Sequence, residues 1–257
     1  MSFMKNKISF FIATIAFFVL LLTQKSNCEL NYTYKVYTPQ NFSEVSKHIE
    51  NTKNNGQILF IVDFSNSMND YIGGIPKLDM ARNTLAEILP KVPPNVKTGL
   101  RVYGHRAGFT YYQGCQASNL TVPLGYNNFQ NILGSLYATR AIGWTPITYS
   151  LKQAINNDFM GAQGKKHIIL LTDGGENCDE SPCTYVINLM KTRDDITIDV
   201  IAFDVHDIEA NNQLRCTALM TRGKFLNANS QEDLANSLFE TLGISKDVKG
   251  SIKIPAE

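Results

Sequence analysis

Two short runs, ILFIV (58–62) and HIILLT (167–172), carry apolar residues on both faces of an extended chain. Such strands must be covered on both sides, which is the situation of central strands in a parallel sheet flanked by helices. KTGLRVYG (97–104), ITIDVIAF (196–203) and the short KFLNA (224–228) supply further strands rich in β-branched and aromatic residues. Helical patterns lie between them. In KLDMARNTLAEIL (77–89), Leu78, Ala81, Leu85 and Ile88 form one stripe, and 145–155, 181–193, 208–221 and 233–243 also read as helices. Pro146 and Pro182 suit first-turn positions. Strands alternating with helices in units of this size mean an α/β, doubly wound fold, with helices on both faces of a mostly parallel sheet. The chain has 257 residues, 44% hydrophobic and 18% charged, enough apolar material for one full core and too much for a disordered chain. The expected organisation is one domain over 56–243, preceded by a polar extension over 29–55 and followed by a tail over 244–257.

The N-terminus bears on compartment. Lys5 and Lys7 precede an apolar stretch from Ile8 to Leu22, followed by the polar TQKSNC. That is the layout of a signal peptide over 1–28, and the apolar part is short for a bilayer span. The chain is therefore expected to be secreted or periplasmic, with no membrane span after cleavage; an uncleaved N-terminal anchor is the alternative. The formal charge is +1, and removal of the three lysines in residues 1–28 leaves −2. No broad basic surface is available to hold a nucleic acid. Export permits disulfides. Beyond Cys28 stand Cys115, Cys178, Cys183 and Cys216, with no CxxC pair to suggest zinc. Two bridges with three possible connectivities are expected. GxxxxGK[ST] is missing, so Gly161, Gly164 and Lys165 are not read as a phosphate loop.

In open parallel sheets ligands bind beyond the carboxyl ends of the strands. ILFIV runs into Asp63 there, HIILLT into Asp173 and ITIDVIAF into Asp204. Carboxylates at the ends of buried strands cost desolvation unless a cation or hydrogen bonds compensate. Asp63 is followed by Ser65 and Ser67, and Thr145 stands in GWTP, in a loop that opens a helix. Three hydroxyls and two carboxylates make a hard, all-oxygen donor set, the chemistry of Mg, with Mn or Ca as alternatives.

DFSNSM, GWTP and LLTDGGEN resemble the three segments of the metal-ion-dependent adhesion site of von Willebrand factor type A domains. LRVYGHRAG (100–108), Cys115, ENCDESPC and LRCTAL resemble a bacterial exported subgroup of that family. The resemblance implies a Rossmann-like fold with a six-stranded sheet whose antiparallel edge strand falls near 119–123. It implies that Ser65 and Ser67 ligate the metal directly, and Thr145 directly or through water. Asp63 and Asp173 hold the metal mainly through waters. It further implies a non-enzymatic protein-binding module whose protein partner presents a Glu or Asp to the metal. Metal-dependent hydrolysis and a merely stabilising metal are the rival functions, and the oligomeric state is left open. Asp204 lies outside the family's metal set and reads as structural, as does His105, expected to be hydrogen-bonded. Trp144, beside Thr145, stands either to shield the metal or to offer a partner an aromatic contact. Loop placement makes Cys115–Cys178 and Cys183–Cys216 feasible, with Cys178–Cys183 as the competing pair.

Overall fold

A computed structural model describes residues 56–244; the expected signal peptide, the 29–55 extension and nearly all of the tail lie outside the described residues. The central sheet has six strands in the order β5-β4-β1-β6-β7-β8. These are β1 (Gln57–Asp63), β4 (Lys97–Tyr103), β5 (Ser118–Gly125), β6 (Lys166–Thr172), β7 (Ile196–Phe203) and β8 (Phe225–Ala228). All neighbours are parallel except β4 and β5, so the one antiparallel strand is at the edge, as the resemblance implies. A small antiparallel hairpin, β2 (Tyr71–Ile72) and β3 (Ile75–Pro76), precedes the first long helix.

The alternation of side chains along the strands builds two cores. Phe60 and Val62 of β1 face one way, together with Leu100, Val102, Ile169, Leu171, Ile201 and Phe203. The helices α1 (Lys77–Ile88), α3 (Phe129–Ala138) and α7 (Gln231–Leu242) cover that face. Leu59 and Ile61 face the other way, covered by α4 (Ile147–Gln153), α5 (Pro182–Leu189) and α6 (Ile208–Met220). The stripe Leu78, Ala81, Leu85 and Ile88 of α1 is buried throughout. A one-turn helix, α2 (Tyr111–Gly114), lies in the loop between β4 and β5.

The sequence-based expectation lacks α3, the one-turn α2 and the β2–β3 hairpin. The helical pattern expected over 145–155 is also divided, because a π-helical turn over Ala154–Asp158 follows α4. That turn delivers the Asp158 carboxylate to the buried Arg101, which makes two hydrogen bonds to it at 2.6 and 2.7 Å and a third to Ser118 Oγ at 2.9 Å. The four later cysteines pair as Cys115–Cys178 and Cys183–Cys216, so the local Cys178–Cys183 alternative does not form.

Candidate functional site

The chain leaves β1 for β4 on one side and returns to β6 on the other, so the strand order reverses at β1. A crevice opens at such a switch point, beyond the carboxyl ends of the strands. Asp63 is the last residue of β1 and Asp173 directly follows β6. Asp63 is fully buried. Its Oδ1 accepts the Ser65 backbone N–H at 2.6 Å, and its Oδ2 accepts the hydroxyls of Thr172 at 2.8 Å and Tyr103 at 3.0 Å. Ser65 Oγ and Ser67 Oγ lie 3.1 Å apart, and Ser67 donates to Asp173 Oδ1 at 2.8 Å. Four of the five expected residues thus form one connected group.

Backbone contacts of Gly143 bring the Thr145 loop beside this group. Asn66 N–H donates to Gly143 O at 3.0 Å, and Ser65 and Gly143 form an isolated parallel bridge. Asn177, four residues past Asp173, accepts the Thr145 N–H at 2.7 Å through its side chain. Glu176 accepts the N–H of Thr148 in the first turn of α4 at 2.7 Å, and that of Cys178 at 3.0 Å. An acid at a helix N-terminus is favourable, and here it locks the second loop of the site to the third. Gly104 makes the close approach feasible: its φ is +71°, and a Cβ there would sit 2.5 Å from Ser65 N.

The charges in the crevice oppose one another. Burial, and then the Asp173 carboxylate, push Asp63 up to about 7 against the hydrogen bonds from Ser65 and Thr172. Burial also raises Asp173, although Ser67 and Lys77 pull the other way. Burial and the adjacent Asp63 hold the Tyr103 phenol well above its ordinary value, so it stays a neutral donor. Two buried carboxylates facing each other, bordered by neutral hydroxyls, suit a hard cation with oxygen chemistry. Among the described residues no group of three or more His, Cys, Asp or Glu side chains is arranged to hold a metal.

Lys77, with no role assigned from sequence, reaches this group from the first residue of α1. Its Nζ stands 3.3 Å from Asp173 Oδ2 and 3.0 Å from Asp204 Oδ2, with the lysine side chain only 8% exposed. Burial disfavours the ammonium, but Asp204 and Asp173 outweigh it and hold its pKa above the ordinary lysine value. A signal for it exists in sequence. The helix macrodipole disfavours a cation in the first turn, so Lys77 at that position calls for a compensating acid. Asp204, with φ +59°, also pairs with His206 at 3.1 Å. His105 departs from expectation: its Nδ1 is buried without a hydrogen-bond partner among the described residues. Tyr103, Thr172, Glu176 and Asn177 carried no role in the sequence reading either, because what they hold is distant along the chain.

Next to Thr145, Trp144 is 41% exposed and meets the edge of Tyr111 with ring centroids 5.4 Å apart. Tyr111 donates to Asn177 O and to Asp179 Oδ2, each at 3.0 Å, and the Cys115–Cys178 bridge ties the same two loops. Phe109 and Tyr112 extend outward from this loop, fully and 70% exposed.

This fold, with acid and hydroxyl groups gathered at its switch point, defines a class of domain, and comparison with known proteins gives it a family. The von Willebrand factor type A domain model matches residues 57–241, and the chain belongs to that family. Two Bacillus subtilis (strain 168) proteins, YwmC and YwmD, are each 30% identical to it over 181 and 184 residues. Those alignments cover 69% and 68% of this chain, and 78% and 80% of the relatives. Among solved structures, proximal thread matrix protein 1 from the mussel byssus superposes with a TM-score of 0.56 at 21% identity, over 73% of this chain. This chain spans only 45% of that protein's length. A second structure of the mussel protein, described as having a zinc-occupied MIDAS motif (the metal-ion-dependent adhesion site), gives a TM-score of 0.56 at 20% identity over 78% of this chain and 51% of that one. At such identities these structures speak to the fold alone. Domains of this family serve mostly as protein-interaction modules.

Proposed function

We propose that the domain binds a protein partner through a divalent cation, Mg in the first instance, held by Asp63, Ser65, Ser67, Thr145 and Asp173. The observation that carries this reading is the pair of buried acids at the switch point, Asp63 and Asp173, linked through the Ser65 backbone N–H and the Ser65 and Ser67 hydroxyls. When bound, the cation offers an electrophilic position to a carboxylate. Neutral hydroxyls quench its charge less than carboxylates do, so an acid from the partner remains attractive to it. The chain's own residues do the rest. Tyr103 and Thr172 fix the Asp63 carboxylate, Asn177 and Glu176 fix the Thr145 loop, and Trp144 with Tyr111 offers an aromatic contact beside the site.

The setting in which such binding takes place is the outside of the cell or the periplasm. The two disulfides support that location, and no helix among the described residues is long and apolar enough to cross a membrane. A signal peptide over 1–28 belongs to the same proposal. The test is affinity capture from native envelope or culture medium, with wild type and Asp63→Ala compared in Mg and in EDTA. Retention of the same partner in EDTA, or by the variant, refutes the reading. One observation favours a second reading: the repulsion between the buried acids means that a cation stabilises the fold whatever else it does. A metal-dependent melting temperature together with metal-independent partner affinity selects that alternative.

A further inference from the structure

Lys77 is a side chain that the reading above leaves without a task, and its position is unusual. It opens α1, a helix with no side-chain cap at its start. Its ammonium nonetheless lies between Asp173 and Asp204, on a side chain only 8% exposed. The two oxygens of Asp173 are thereby divided: Oδ1 accepts from Ser67 and faces the hydroxyl cluster, whereas Oδ2 accepts from Lys77. A lysine here costs both desolvation and an unfavourable helix-dipole contact. Hydrophobic packing would cover the same volume without either cost.

We infer that Lys77 is a built-in counter-cation that shares Asp173 with the divalent ion and sets the affinity of the site low. The inference rests on the metal-binding reading of the same crevice. Asp63, Asp173 and Asp204 together carry up to three negative charges, and Lys77 offsets one of them before any dication arrives. The chain can then fold with these acids buried while no metal is bound. A divalent ion must enter against a positive charge a few ångströms away. A site weakened in this way gains more from the added negative charge of a partner's carboxylate than a site already saturated by its own acids. Metal retention and partner binding become coupled.

The sign of the effect separates this role from a structural one. If Lys77 merely positions Asp173, its removal disorders that carboxylate and weakens metal binding. If it competes, its removal tightens binding. The experiment is titration with Mn²⁺ alone, followed by electron paramagnetic resonance of the free ion and by calorimetry, on wild type, Lys77→Met, Lys77→Arg and Asp204→Asn. Circular dichroism and metal-free melts establish that each is folded. Lys77→Met should bind Mn²⁺ about 10- to 100-fold more tightly, as expected from deleting a unit charge near a dication in a partly screened setting. Lys77→Arg should stay within about threefold of wild type, because it restores the charge. Asp204→Asn, which keeps a side chain tolerant of positive φ, should bind several-fold more weakly, because Lys77 then weighs on Asp173 alone. Unchanged or weaker binding by a folded Lys77→Met overturns the inference and leaves the metal site standing. Should Lys77→Met not fold, tighter or unchanged binding by Asp204→Asn overturns it. No saturable binding by any of the four chains overturns the metal site itself, and this inference with it.

Discussion

Replacing Asp63 by Asn tests the electrostatic account of the crevice without needing a partner. The Asp63 carboxyl is fully buried and pushed from 3.8 up to about 7 by burial and by Asp173. A raised acid binds its proton more tightly in the folded than in the unfolded chain. Between about pH 4 and pH 7 the folded state therefore holds the extra proton, and stability falls as pH rises through that window. Three pKa units at about 1.4 kcal/mol each set a ceiling of roughly 4 kcal/mol. Asp173 carries part of the same repulsion, and an Asn amide must be accommodated by the Tyr103 and Thr172 hydroxyls, which then accept. The expected gain for metal-free Asp63→Asn at pH 7.5 is about 1–3 kcal/mol, or roughly 2–12 °C in melting temperature for a domain of this size. Near pH 4 the gain should largely disappear, because the folded-state carboxyl is then protonated and the unfolded one only about half ionised. The assay is thermal and urea unfolding of both chains in EDTA from pH 4 to 8, repeated with Mg. Wild type should gain stability from Mg at pH 7.5 and the variant should not. A variant less stable than wild type in EDTA at pH 7.5, or a difference that ignores pH, refutes the reasoning.

Other perturbations read different parts of the structure. Gly104→Ala forces a side chain into the left-handed region and places a Cβ against the Ser65 backbone. It should cost about 1–2 kcal/mol from conformation alone, with a lower urea midpoint and a smaller Mg-induced shift. Arg101→Met leaves the Asp158 carboxylate buried and unpaired, at an expected cost of about 3–5 kcal/mol. Arg101→Met/Asp158→Leu should recover most of it in the same unfolding assay, and equal losses in the single and double variants would show that the pair is not the cause. Removal of Cys115 and Cys178 by serine opens a loop closed across 63 residues, which should lower stability by about 2–4 kcal/mol. It should also speed proteolysis of the 105–117 loop; wild-type protection there would show that the Tyr111 contacts suffice.

What the sequence made legible follows the range of the interactions. Strand runs apolar on both faces, such as ILFIV, report burial directly, and each of the five proposed ligands sits in a strand–loop context marked by its immediate neighbours. The antiparallel edge strand, which only the family resemblance implies near 119–123, spans Ser118–Gly125. The α3 helix leaves little mark on the sequence, because it lacks a side-chain N-cap hydrogen bond and carries Gly134 near its centre. The groups that hold the proposed ligands leave less trace still. Thr172 lies 109 residues from Asp63, Tyr103 lies 40, and Lys77 lies 96 from Asp173. None sits at a fixed spacing from what it touches, since the intervening helices and loops set the distance along the chain while the sheet sets the distance in space. A motif therefore reveals which residues offer oxygen to a cation, whereas the charge that offer carries is decided by side chains arriving from other strands. On the proposed reading, the affinity of the crevice for a cation, alone or with a partner, depends on that second set.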